Sequence, residues 1–196
     1  MAGYRSQIQL NSSFPEQKLH STNPLITEEC KNCENGEYFE KDMMYSVGVI
    51  QKKTLKSLFF VYGDCFAEPS EFYQNKKDLI TKLMKDPSLD MEFSPTNELG
   101  RFNAVDPLGV TNLRVRGMWL LKNPLVIFED IVNFKPNEQE CSIMALMRKT
   151  KFESFPNGDK NSILNDKDII YKEVKINDPS KPSELMDAVL LRYDKK

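Results

Sequence analysis

Cys30 and Cys33 stand two residues apart, at a spacing shared by zinc knuckles and redox pairs. A structural zinc takes four thiolate or imidazole ligands in a tetrahedron, so a CxxC pair is half a site. The chain offers little to complete it. Cys65 and Cys141 are the other cysteines, in "GDCFAEP" and "ECSIMAL", and their apolar settings suit buried core thiols. His20 is the single histidine. Acidic neighbours around Cys30 and Cys33 would raise the thiol pKa, which argues against thioredoxin-like exchange. The pair reads most simply as reduced thiols in a loop, with a small structural-zinc protein as an alternative.

One histidine also limits catalysis. A Ser-His-Asp or Cys-His pair would have to borrow His20, and no multi-histidine metal site can form within the chain. Acid/base chemistry without histidine stays open. Asp64, Glu68, Glu98 and Asp106 fall in or near loops and could meet in space, and Cys65 lies beside Asp64. A perturbed pKa at Asp64, Cys65 or Asp106 would favour such a site. Glu129 and Asp130 are adjacent, so they diverge on either a strand or a helix. The chain holds no P-loop, no GxGxxG and no GxSxG motif, and its 8 glycines leave little room for a phosphate-cradling loop.

The most distinctive surface lies in "NLRVRGMWLL". Arg114 and Arg116 share one strand face about 7 Å apart, two residues of strand rise. With Arg101 they could hold a phosphate or carboxylate group, or an acidic partner. The bland alternative is a solvated strand face with cross-strand Glu partners. Trp119 falls on the opposite, apolar side, where it could line a ligand pocket or simply join the core.

The surrounding elements must carry these groups. Residues 1–40 are polar and aperiodic and read as a flexible or loosely docked N-terminal arm, through which a homo-oligomer could assemble. Residues 41–196 read as a single α+β domain. "YSVGVI" and "LKSLFFVYG" alternate as a hairpin turning at Gln51–Thr54. "SEFYQNKKDLITKLMK" is a helix over 70–85, with Phe72, Leu79, Ile80, Leu83 and Met84 on one stripe. "LDMEFSP" makes a short strand and residues 97–109 a long loop. "TNLRVRGMWLL" reads as one antiparallel strand. "LVIFEDIVNF" fits either a strand or a helical stripe through Leu125, Phe128, Ile131 and Val132, with strand favoured. "CSIMALMRKTKF" and "DIIYKEVKI" read as strands, and "FPNGDKNS" as a loop. "KPSELMDAVLLRY" reads as a helix over 183–193. The expected fold is a mostly antiparallel, curved sheet of about five to seven strands covered by two amphipathic helices.

The 196 residues suffice for one domain, and 27 basic against 29 acidic side chains leave a net charge of −2. No basic stripe marks a nucleic-acid binder, and nucleic acid is not favoured as a partner. No secretory signal and no membrane span is evident, so a cytoplasmic or nuclear location is expected. No cofactor is indicated. These observations point to a non-enzymatic binding or interaction domain, which takes another protein or an apolar or anionic small ligand through Arg101, Arg114, Arg116 and Trp119. The alternative is a hydrolase-like enzyme using loop carboxylates or Cys65.

Overall fold

Strand-forming runs dominate the chain, and they assemble into a mixed rather than a purely antiparallel sheet. The computed structural model describes residues 6–11, 14–21, 40–85, 92–93, 98–135 and 140–195. In chain order the strands are β1 (Gln7–Asn11), β2 (Lys18–His20), β3 (Glu40–Asp42), β4 (Met44–Gln51), β5 (Thr54–Tyr62), β6 (Glu92–Phe93), β7 (Gly100–Asn103), β8 (Leu113–Val115), β9 (Met118–Lys122), β10 (Cys141–Arg148), β11 (Ile169–Asp178) and β12 (Lys181–Lys195). The α-helices are α1 (Ser70–Met84), α2 (Pro124–Ile127), α3 (Glu129–Val132), α4 (Lys149–Glu153) and α5 (Asn157–Asn165). The architecture is α+β, as the sequence predicts. No described helix is long and apolar enough to cross a membrane.

The chain divides into two units, one drawn from 1–7, 16–69 and 122–196, the other from 8–15 and 70–121. The first is built on a five-stranded sheet in the order β11-β12-β10-β5-β4. β4 and β5 form the expected hairpin, with Gln51 opposite Thr54. Lys52 and Lys53 both take positive φ between them, the backbone that a two-residue hairpin turn demands. β10 runs parallel to β5, whereas β12 is antiparallel to both β10 and β11.

Both faces of this sheet are covered. On one, Phe59, Val61, Met144, Leu146, Ala188 and Leu190 pack with Leu125, Phe128 and Val132 of α2 and α3. On the other, Met147 and Val189 pack with Phe152 of α4, Phe155, and Ile163 of α5. The alternation within β10, where 144 and 146 face one layer and 145 and 147 the other, is the strand period at work.

This two-sided burial corrects the predicted C-terminal helix. Residues 181–195 are the interior strand β12, between β11 and β10. Ala188, Val189 and Leu190 are all buried. A strand covered on both faces carries a continuous apolar run, and such a run also satisfies an i, i+3, i+4 stripe. Residues 124–132 correct in the opposite direction, from strand to helix. The side chain of Asn123 accepts the Leu125 N–H at 2.9 Å, Pro124 takes the first helical position, and Asn133 closes α3 in the left-handed region. "FPNGDKNS" opens helix α5 behind Pro156 rather than forming a loop.

Arg192 ties the layers together. Its Nε donates to both carboxylate oxygens of Asp194 at 2.9 Å, and its Nη1 donates to the carbonyl of Val132 at 2.5 Å. The orphan carbonyls that end α3 thus find a cationic partner.

In the second unit, α1 has the predicted bounds but a different packed face. Ser70, Tyr73, Lys77, Thr81 and Met84 are its half-buried residues, whereas Phe72, Leu79, Ile80 and Leu83 are exposed. Tyr73 and Trp119 meet edge-to-face at 5.7 Å between ring centroids, and Phe14 joins both. β6, β7 and β8 form a small antiparallel sheet. The expected single strand "TNLRVRGMWLL" is broken at Arg116-Gly117: β8 pairs with β7, and β9 pairs with β1.

Candidate functional site

The parallel pair β5 and β10 places the ends of two neighbouring strands side by side. In open α/β sheets that carboxyl edge is the usual place for a site. β5 ends in Tyr62, and the next residues, Gly63, Asp64 and Cys65, form a 3-10 turn. β10 ends in Arg148, and α4 begins at once with Lys149 and Lys151. Gly63 is needed here by close approach: a Cβ at this position would stand 2.5 Å from the carbonyl oxygen of Gln17 and 2.7 Å from its Cα. The segment before β2 therefore lies directly on the turn that presents Asp64.

Arg148 is the centre of the cluster. Its Nε lies 3.1 Å from Asp64 Oδ2, and its Nη2 lies 3.6 Å from Asp178 Oδ2 at the end of β11. Its guanidinium also donates to the Asp64 carbonyl at 3.2 Å. Lys151 bonds Asp42 of β3 at 2.6 Å. Lys18 of β2 pairs with Glu40. The same paired strands, β2 and β3, set His20 3.7 Å from Glu40.

Asp64 is poorly solvated. Its Oδ1 is buried without a hydrogen-bond partner among the described residues. Burial raises its pKa above the usual carboxylate value, Arg148 pulls the other way, and nearby Asp42 adds to the rise. Burial also pushes the Cys65 thiol far up, reinforced by the Asp64 charge. A thiol held protonated is a poor nucleophile, which weighs against Cys65 in the role considered for it. Lys151 is held in its charged form chiefly by Asp42. A cleft of about 410 Å³ opens beside the cluster, lined by Cys65, Phe66, Phe128, Ile131, Asp178 and Pro182 among others.

The arginines singled out from the sequence stand in the second unit. Arg114 grips Glu98 through two hydrogen bonds, Nε to Oε2 at 2.9 Å and Nη2 to Oε1 at 2.8 Å. Arg116 Nε reaches the same Oε1 at 2.7 Å. The Arg114 hydrogen bond holds the Glu98 carboxyl below its usual value. Arg101 sits directly across from Arg114 in the β7–β8 register. Arg101 makes no ion pair within 4.0 Å among the described residues. Two guanidinium groups thus share one carboxylate, with Arg101 on the neighbouring strand. Trp119 belongs instead to the aromatic cluster with Phe14 and Tyr73. Asp106 turns out to be a loop staple: hydrogen bonding from Thr111 leads in lowering its pKa. Cys30 and Cys33 lie outside the described residues. Among those described, no three His, Cys, Asp or Glu side chains gather closely enough to hold a metal by themselves.

A half-buried acid near two cations, at the carboxyl edge of a parallel strand pair, makes a site suited to polar hydrolytic chemistry on an anionic substrate. The comparisons with known proteins specify the class. The model of the NgoPII restriction endonuclease family matches residues 1–177. The type II restriction enzyme NgoPII of Neisseria gonorrhoeae is 38% identical over 189 residues, 96% of this chain and 66% of that enzyme. The chain belongs to the NgoPII restriction endonuclease family, and it spans just under two thirds of the length of that relative. No solved structure matches.

Family membership overturns the reading as a non-enzymatic binding or protein-interaction domain, and with it the expectation that nucleic acid is not favoured as a partner. The hydrolase-like alternative, built on loop carboxylates without histidine, is the better reading. The physical reason for the error is that net charge sums the whole surface. A total of −2 coexists with a local cluster in which Arg114 and Arg116 share Glu98 and Arg101 stands across from Arg114. Arg148 and Lys151 carried no local signal in "LMRKTKF". Only the parallel pairing of β5 with β10 brings them to Asp64.

Proposed function

We propose that the chain carries the DNA-cleaving centre of a restriction endonuclease, and that Asp64, Arg148 and Lys151 perform phosphodiester hydrolysis, with Asp42 and Asp178 positioning the two cations. The observation that carries this reading is the Asp64 carboxyl, with one oxygen on Arg148 and the other buried without a partner. In hydrolysis water adds to phosphorus, the bond to one sugar oxygen breaks, and that oxygen leaves with a proton. A carboxylate whose pKa is raised by burial is a stronger base for the proton of the attacking water. Arg148 and Lys151 face the negative charge that gathers on the phosphoryl oxygens. Asp42 fixes Lys151, and Asp178 fixes Arg148.

A divalent cation, where bound, would act as a Lewis acid on the phosphoryl oxygens. The residues fit a lightly held ion. Magnesium is often bound by one or two carboxylates, with water and substrate phosphates supplying the rest, and the unpartnered Asp64 Oδ1 is the oxygen that suits it.

The Arg101, Arg114 and Arg116 cluster supports a second part of the same reading, contact with the DNA backbone. Arginine forks match phosphate bidentately, and such contacts position a duplex without reading its sequence. Cleavage of duplex DNA by the wild type and by Asp64→Asn tests the proposal. The variant is expected to lose at least 100-fold in rate while remaining folded. A variant that cleaves at the wild-type rate would refute it.

A further inference from the structure

The loop between β7 and β8, residues 104–112, is held stiff while its apolar tip is left bare. Asp106 organises it. Its carboxylate accepts the backbone N–H groups of Leu108 at 3.1 Å and Thr111 at 2.6 Å, with a longer contact from Val110 at 3.4 Å. Asn112 Oδ1 accepts the Ala104 N–H at 3.1 Å, and the Val105 N–H bonds the Thr111 carbonyl at 3.0 Å. Gly109 takes φ +66, a conformation that glycine adopts without strain.

This bracing places Leu108 86% exposed and Val110 78% exposed at the tip, behind Pro107. The bracing fixes two aliphatic side chains in solvent, where a partner can meet them without first ordering the loop. Its base is cationic: Arg101 and Arg114 face each other on the strands that launch the loop, and Arg116 follows. An apolar tip on an arginine base complements a duplex, in which phosphates flank a stack of apolar base faces. Proteins that kink DNA insert such side chains, leucine among them, between base steps.

We infer that the Leu108–Val110 tip is a wedge that enters the DNA stack and locally unstacks a base step, while Arg101, Arg114 and Arg116 hold the flanking phosphates. The inference rests on the proposed DNA reading and adds a distortion of the substrate that cleavage chemistry alone does not require. Bracing by Asp106 keeps the wedge ordered before binding, so little freedom is lost when it inserts.

The test uses the cleavage-inactive Asp64→Asn chain. Duplexes it retains from a random pool are remade with 2-aminopurine placed at each position in turn. Unstacking raises the fluorescence of this base. The wedge predicts a several-fold rise at one step or two adjacent steps. The double change Leu108→Ser with Val110→Ser should abolish that rise and weaken binding about tenfold, leaving the melting temperature unchanged. Asp106→Asn, which loosens the loop but keeps the apolar tip, should weaken binding less. If duplexes are retained but no position brightens, the wedge is wrong and the DNA reading stands. If no duplex is retained, both fail. If the serine variant changes only the oligomeric state in sedimentation, with DNA affinity intact, the tip is a protein contact and the wedge is overturned.

Discussion

Asp64 Oδ2 lies 3.1 Å from Arg148 Nε, while the other oxygen of the same carboxylate is buried with no partner among the described residues. The group is half satisfied, and its folded-state pKa is raised by burial despite the arginine. For an acid whose folded pKa is raised, the ionised form opposes folding. Its stability contribution is full below the unfolded pKa and is lost as pH rises through the folded value. Asp64→Asn should therefore raise the melting temperature at pH 7. The advantage over wild type should shrink as pH falls from the raised folded pKa towards 3.8, the ordinary value, and vanish below it. Paired thermal melts from pH 3 to 8 check this. A variant less stable than wild type at pH 7 would show that the ionised carboxylate is well paired after all.

Arg148 should be intolerant of loss. It is the counter-charge for both Asp64 and Asp178, and removing one member of a partly buried cluster strands the others. Arg148→Ala should destabilise by about 1–3 kcal/mol and abolish cleavage. Arg148→Lys should recover most of the stability but little of the activity, because an ammonium cannot span two carboxylates as a fork does. Urea melts and cleavage assays separate the two effects.

Arg192 predicts a purely structural loss. It closes the carbonyl end of α3 and pairs with Asp194, far in sequence from the Val132 carbonyl it bonds. Arg192→Ala should cost about 2–3 kcal/mol. The remaining folded fraction should cleave at the wild-type rate per folded molecule.

Ser57 predicts the reverse sign. It is fully buried at the centre of β5, and its hydroxyl has no hydrogen-bond partner among the described residues. An unpaired buried hydroxyl costs about 1–3 kcal/mol, so Ser57→Ala should stabilise the protein or leave it unchanged. Denaturant midpoints measure this directly. A clear loss of stability would indicate a partner for the hydroxyl.

On the second unit, two arginines share the charge of Glu98. Arg114→Ala combined with Arg116→Ala should weaken duplex binding and lower the slope of log affinity against log salt by about 1 to 2. Glu98→Gln should do the opposite and tighten binding at low salt. Fluorescence anisotropy across a salt series distinguishes them.

The parts of this fold legible in the sequence were those with a strong local period. The β4–β5 hairpin and its Gln51–Thr54 turn, the bounds of α1 and the strand β11 all follow from alternation and breakers. The parts that were not legible depend on layering. Val189 alternates with Ala188 and Leu190 between two covered faces, and a strand so placed carries the same residue pattern as a helical stripe. Leu79, Ile80 and Leu83 form the apolar stripe of α1, yet the half-buried face runs through Tyr73 and Thr81, because the aromatic cluster decides the packing. At the site, Asp64 could be named as a loop carboxylate. Arg148 lies 84 residues away, and only the crossover from β5 to β10 joins them.

We propose that the Asp64 and Arg148 centre hydrolyses DNA. The most direct measurement is a cleavage assay on duplex DNA with magnesium present, comparing the wild-type chain with Asp64→Asn at matched folded concentration. Discrete fragments from the wild type and at least a 100-fold loss in the variant are the predicted result. Equal cleavage by the two proteins would contradict it.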